Sequence, residues 1–152
     1  MAYTTAEARE QLLDTIAEAI DAIGLALAEL GEAYEHLDEQ TAETLEQELF
    51  RPLQLAYGRA KRTYAAFADR HGLVGRAFEP VIPGAPSSGV KGFLDRAVEY
   101  AAKADGLLVT LQDSMLPVDV GDAELRAGLA EVRTLLAGMP GRAHQLVRRF
   151  GR

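Results

Sequence analysis

Cysteine, tryptophan and asparagine are all absent from the 152 residues. Without a thiol the chain forms no disulfide, thiolate zinc site, iron–sulfur centre or cysteine nucleophile, and its redox compartment stays open. Aromatic residues make up only 7% while alanine occurs 26 times, a balance that favours helix over an aromatic-rich sandwich or barrel. Long apolar runs are missing too: the longest uncharged stretch, Pro80 to Val90, is short and full of Pro, Gly and Ser, which argues against a membrane span. The opening residues MAYTTAEAREQLLD are acidic where a signal peptide would be basic, so the expected location is the cytoplasm.

What is present fits one globular domain, with 48% hydrophobic and 26% charged residues,. The net charge of −7 and pI near 5.0 argue against nucleic acid and anionic membranes as partners,. The average hides a split. Residues 1–50 hold 13 acids against Arg9 alone, and residues 51–152 hold 15 Lys/Arg against 10 acids. Arginine outnumbers lysine 13 to 3, and together with the alanine content this points to a GC-rich bacterial genome.

Apolar residues recur in steps of three and four through four tracts, the pattern of helices with coiled-coil-like seams. The first seam is Leu13, Ile16, Ile20, Ile23, Leu27, Leu30, Tyr34 and Leu37, and the second is Phe50, Leu53, Tyr57, Ala60, Tyr64 and Phe67, with His71 in phase. Leu45 and Leu49 precede the second seam out of phase, and Pro52 predicts a kink or a fresh helix start,. The first turn is placed near Asp38 to Thr41, with Thr44 and Gln47 as a capping box; one helix running on to Arg51 is the alternative,. The third seam runs from Val90 to Met115 and is stopped by Pro117; the fourth, capped by Asp119 or Asp122, runs from Leu125 to Phe150 with a kink at Pro140,. The resulting expectation is an all-α, antiparallel up-down-up-down four-helix bundle with helices about 4–37, 42–71, 88–115 and 120–150 and a long connector, 72–87, between the second and third,. Folding the third tract onto the fourth would set Ala97, Ala101 and Ala104 against Met139, Leu136 and Val132,.

No catalytic or metal-binding motif appears. The residues three before His36, His71 and His144 are Ala33, Ala68 and Gly141, so the Glu-x-x-His pairs of di-metal bundles are missing, and no seam carries a carboxylate. His71 as a haem ligand is outweighed by its place in the last turn before Gly72, where it suits the helix C-terminus,. Gly84 to Lys91 has the look of a phosphate loop, but Val90 displaces the lysine, no Ser or Thr follows and no strand precedes,. No cofactor is expected.

Two functional readings follow. In the first, the chain is a non-enzymatic interaction or structural protein that contacts a protein partner or itself, a homodimer included, through the 72–88 connector and a basic end. That end would gather Arg70, Arg76, Lys91, Arg96, Arg142, Arg148, Arg149 and Arg152, opposite an acidic end holding the two short turns. In the second, the chain binds a small molecule or anion, either at those basic residues with Ser87 and Ser88 or in an interior lined by Tyr34, Tyr57, Tyr64 and His71,.

Overall fold

A computed structural model describes residues 4–82 and 89–150, and among them every regular element is helical. Helix α1 is Thr5–Glu35; α2 (Glu39–Leu45), a π-helical turn (Glu46–Phe50) and α3 (Arg51–Arg70) follow without interruption. Then come α4 (Gly89–Asp113), a single turn α5 (Leu116–Asp119), α6 (Ala123–Ala137) and α7 (Met139–Phe150). No helix among the described residues is long and apolar enough to cross a membrane.

Local chemistry sets the boundaries. Thr4 caps α1 by accepting from the Glu7 amide, and Asp38 caps α2 by accepting from the Thr41 amide at 2.8 Å,. The capping residue is thus Asp38 rather than Thr44, whose hydroxyl instead donates back to the Gln40 carbonyl. The first helix does not run on to Arg51. Gly72, at φ 64°, ends α3 in the left-handed region that glycine enters freely,. Helix α4 stops at Asp113, before Pro117: the reversal is made by Met115 at φ 66°, and Pro117 lies in the first turn of α5, where its missing N–H costs nothing.

The π turn answers both irregularities of the second tract. In a straight α-helix Leu53 would lie about 80° round from Leu45. A π turn holds more residues per turn and takes up that difference, so Leu45, Leu49 and Leu53 are all fully buried. It also closes on Pro52: the Arg51 amide bonds to the Glu46 carbonyl, and the proline sits in the first turn of α3 rather than breaking a helix.

The helices pack around one core, and named contacts fix their directions. Arg9 donates to the Val120 carbonyl at 3.0 Å, Glu29 pairs with Arg96 at 3.2 Å, and the His36 and Phe93 rings stack. α1 and α4 are therefore antiparallel. Arg59 meets Glu131 and Arg70 meets Asp122, so α3 and α6 are antiparallel as well. Gly24 faces Tyr57 between α1 and α3, with the chain reversing through residues 36–38. Since α3 and α4 both oppose α1, they run parallel to each other. The order is up, down, down, up, which corrects the up-down-up-down expectation. The main partner of α4 is α1 rather than the last tract, so Ala97, Ala101 and Ala104 face the alanine-rich side of α1, where Ala19, Ala22, Ala26 and Ala33 are buried.

Direction is kept across Gly138: α6 lies on α3, and α7 goes on to pack on α2, the π turn and the first half of α4, a bend rather than a reversal. α3 and α6 approach closely where Gly128 faces Thr63. A Cβ built on Gly128 would stand 2.2 Å from Thr63 Oγ1, and Thr63 is itself held by donating to the Arg59 carbonyl at 2.8 Å.

This crossing predicts that Gly128→Ala destabilises the fold by about 1–2 kcal/mol in urea denaturation, because overpacking outweighs the roughly 1 kcal/mol that alanine gains in a helix. In a Thr63→Ala background the same change should cost nothing or stabilise. Equal effects in the two backgrounds would contradict the crossing.

Candidate functional site

A parallel α3 and α4 force the connector to climb the bundle, and its described part, residues 72–82, does so in the groove between α1 and α3. The Leu73 amide bonds to Ala68 at 2.8 Å. Gly75 then passes Tyr64 so closely that a Cβ there would sit 3.0 Å from the ring. The Arg76 amide donates to the Tyr64 hydroxyl at 3.1 Å, and the Arg76 guanidinium pairs with Asp21 while lying over the Phe78 ring. Phe78 meets Tyr64 edge to face at 5.1 Å. Val81 reaches Gly24 and Tyr57, about a turn higher on α1 than Asp21. This segment is a strap pinned by backbone, ring and ion-pair contacts, and its last described residue, Ile82, is 87% exposed.

Beneath the strap an open cleft of about 280 Å³ is lined by Leu27, Ala28, Tyr57, Lys61, Phe78 and Pro80. Lys61 Nζ lies 4.2 Å from the centre of the Tyr57 ring, a cation–π distance. Burial pushes the Tyr57 phenol up; Asp21 and Glu79 push the same way and Arg76 opposes them. The phenol is a neutral hydrogen-bond donor at pH 7.

The four side chains expected to line an interior are dispersed. Tyr57 and Tyr64 lie together under the strap, with Tyr64 buried. Tyr34 is 43% exposed near the far end of α1, and His71 is at the other end of the molecule, against Phe67 and Asp122. The basic residues are dispersed too, and most are already partnered. Arg70 takes both oxygens of Asp122 and also reaches Glu124. Arg76 pairs with Asp21, Lys91 with Asp95 at 3.0 Å, and Arg96 with Glu29. Arg142 and Arg149 share a crevice with Glu48 and Thr44 on the π-turn side of α7, while Arg148 also lies on α7. Ser87, Ser88 and Arg152 lie outside the described residues. Arg70 lies at one end of the molecule beside Asp122, whereas Lys91 and Arg96 lie towards the end marked by His36 and Phe93, so the expected division into an acidic and a basic end is corrected.

Asp122 is the most heavily used carboxylate. It caps α6 through the Leu125 amide at 2.8 Å and accepts from Arg70 and from His71 Nε2 at 3.0 Å. Burial pushes its carboxyl up, but Arg70, the Leu125 amide and His71 together hold it well below the usual carboxylate range,.

One buried group escaped the sequence reading. Glu29 is only 1% exposed, on the α4-facing flank of α1 beside the first seam. Its signal was positional: Glu29 continues the line of Ala22, Ala26 and Ala33 at helical spacing,. No group of three or more metal-ligating side chains occurs among the described residues.

Comparison with known proteins decides nothing. No family model, curated protein or solved structure matches the chain.

The Asp122 cluster predicts an acid limb. A carboxyl held low in the folded state contributes fully above its unfolded value of about 3.9 and loses that contribution as the pH falls through the folded value. Asparagine keeps the cap but not the charge, so Asp122→Asn should lose roughly 1–3 kcal/mol at pH 7 and show a shallower decline below about pH 4. Urea denaturation across pH 2–7 checks both; an unchanged acid limb would contradict the assignment.

Proposed function

We propose that the chain is a non-enzymatic four-helix-bundle interaction protein that contacts a partner, or a second copy of itself, through the connector strap. The observation that carries this reading is the exposure of two apolar residues on the strap: Ile82 is 87% exposed and Val81 37% exposed, on a segment whose preceding residues are anchored to α1 and α3. An apolar side chain presented on a rigid support loses little freedom on binding. Exposed Tyr34 continues the same α1 face beyond Gly24, Leu27 and Gly31,, which extends the apolar surface past the strap.

The basic residues support this reading less. Arg70, Arg76 and Lys91 are committed to carboxylates within the chain, whereas Arg142, Arg148 and Arg149 lie together on α7.

Deletion of the connector would break the crossover itself, so point variants are the proper test. Ile82→Glu should leave the thermal midpoint within about 2 °C, since the side chain is 87% exposed,. It should also abolish any self-association seen by sedimentation and release the proteins retained by immobilised wild type. An unchanged assembly state together with an unchanged set of bound proteins would contradict the reading.

A further inference from the structure

The cleft under the strap combines three features that the packing of the bundle does not require. The first is Gly24. It lies in the middle of α1, where glycine costs roughly 1 kcal/mol relative to alanine. A Cβ there would meet Val81 at 3.4 Å and Tyr57 at 3.5 Å, ordinary van der Waals contacts. Alanine would fit and stabilise the helix; glycine instead leaves the floor of the cleft open.

The second feature is Lys61. Its ammonium lies over the Tyr57 ring at the edge of the cleft and has no carboxylate partner among the described residues, whereas Asp21 of α1 is occupied by Arg76. Glu79, on the strap, is exposed. The third feature is the Tyr57 hydroxyl, which reaches within 3.7 Å of the space above Gly24. The Lys61 cation and one neutral donor thus stand at the rim of an otherwise apolar hollow walled by Leu27, Phe78 and Val81. Small-molecule sites have this composition, a mostly apolar lining with a few placed polar groups.

We propose that this cleft binds a small amphiphilic monocarboxylate, its apolar body against Leu27, Phe78 and Val81 and its carboxylate on Lys61 Nζ and the Tyr57 hydroxyl. The volume, about 280 Å³, suits a body of roughly six to nine heavy atoms. Because the strap forms one wall, the ligand binds only the docked strap and holds it in place. The proposal stands apart from any partner at Ile82 and is tested on the full chain alone.

The experiment is a methyl-resolved NMR titration with octanoate, 1-octanol and octylamine. Octanoate should shift the Leu27 and Val81 methyl signals saturably, with a Kd at least about fivefold below those of the other two probes. Lys61→Gln should raise the octanoate Kd by about fivefold or more and leave the octanol Kd within about twofold. Gly24→Ala should raise the thermal midpoint and yet weaken octanoate, a split that a purely structural glycine would not produce. Absence of Leu27 and Val81 shifts at about 10 mM octanoate, octylamine binding as tightly as octanoate, or an unchanged Kd in Lys61→Gln would each overturn the proposal.

Discussion

The antiparallel seam between α1 and α4 is the constraint from which the other features descend. The levels set by Glu29–Arg96 and His36–Phe93 place Ala22 and Ala26 beside Ala104 and Ala101. All four are buried at 2% exposure or less. Small side chains let two helix backbones approach closely, and dispersion attraction then acts along a long, continuous strip. Glu29 is enclosed within that strip and pairs with Arg96 at 3.2 Å, and breaking a buried pair is far more costly than losing an exposed one. Once α4 is committed to run against α1, α3 and α4 must run the same way. The connector then has to span about 40 Å of helix, well within the reach of some seventeen extended residues.

Much of the surface chemistry follows from that crossover. A connector drawn up the groove between α1 and α3 brings Arg76 to Asp21 and Phe78 to Tyr64, and supplies one wall of the open cleft beside Leu27 and Tyr57. The same topology puts the α3 C-terminus beside the α6 N-terminus. Arg70 and His71 converge there on Asp122, a basic helix end meeting an acidic helix start in the sense the peptide dipoles favour. Two ion pairs, Arg76–Asp21 and Arg96–Glu29, join the acidic first third of the sequence to the basic remainder.

The legible part of the fold was whatever depends on local spacing. The four apolar tracts, the stop at Gly72 and the Asp122 cap all rest on period and cap chemistry within a few residues, whereas the kink expected at Pro140 falls at Gly138, with the proline in the first turn of α7. Neighbour choice was not legible, because four seams of similar length pair equally well in more than one order. The usable signal was the length of the connector, far beyond what a short turn needs. The phase slip of Leu45 and Leu49 ahead of Pro52 was visible as well, but its remedy, a π turn, is visible only once all three leucines are seen in one core. At the candidate site, Tyr57 and Tyr64 were recognisable as a pair on one helix face. The partners that define their role, Arg76, Phe78 and Val81, arrive through long-range packing, and local pattern carries no trace of it.

The direction of α4 against α1 is tested most directly by a distance. The chain has no cysteine, so Glu35→Cys and Lys91→Cys can be spin-labelled together without background. With His36 stacked on Phe93, the account predicts a label separation of roughly 10–20 Å in pulsed electron–electron double resonance. A separation near 40 Å, the length of the bundle, would put the start of α4 at the opposite end and contradict the crossover on which the strap and its cleft depend.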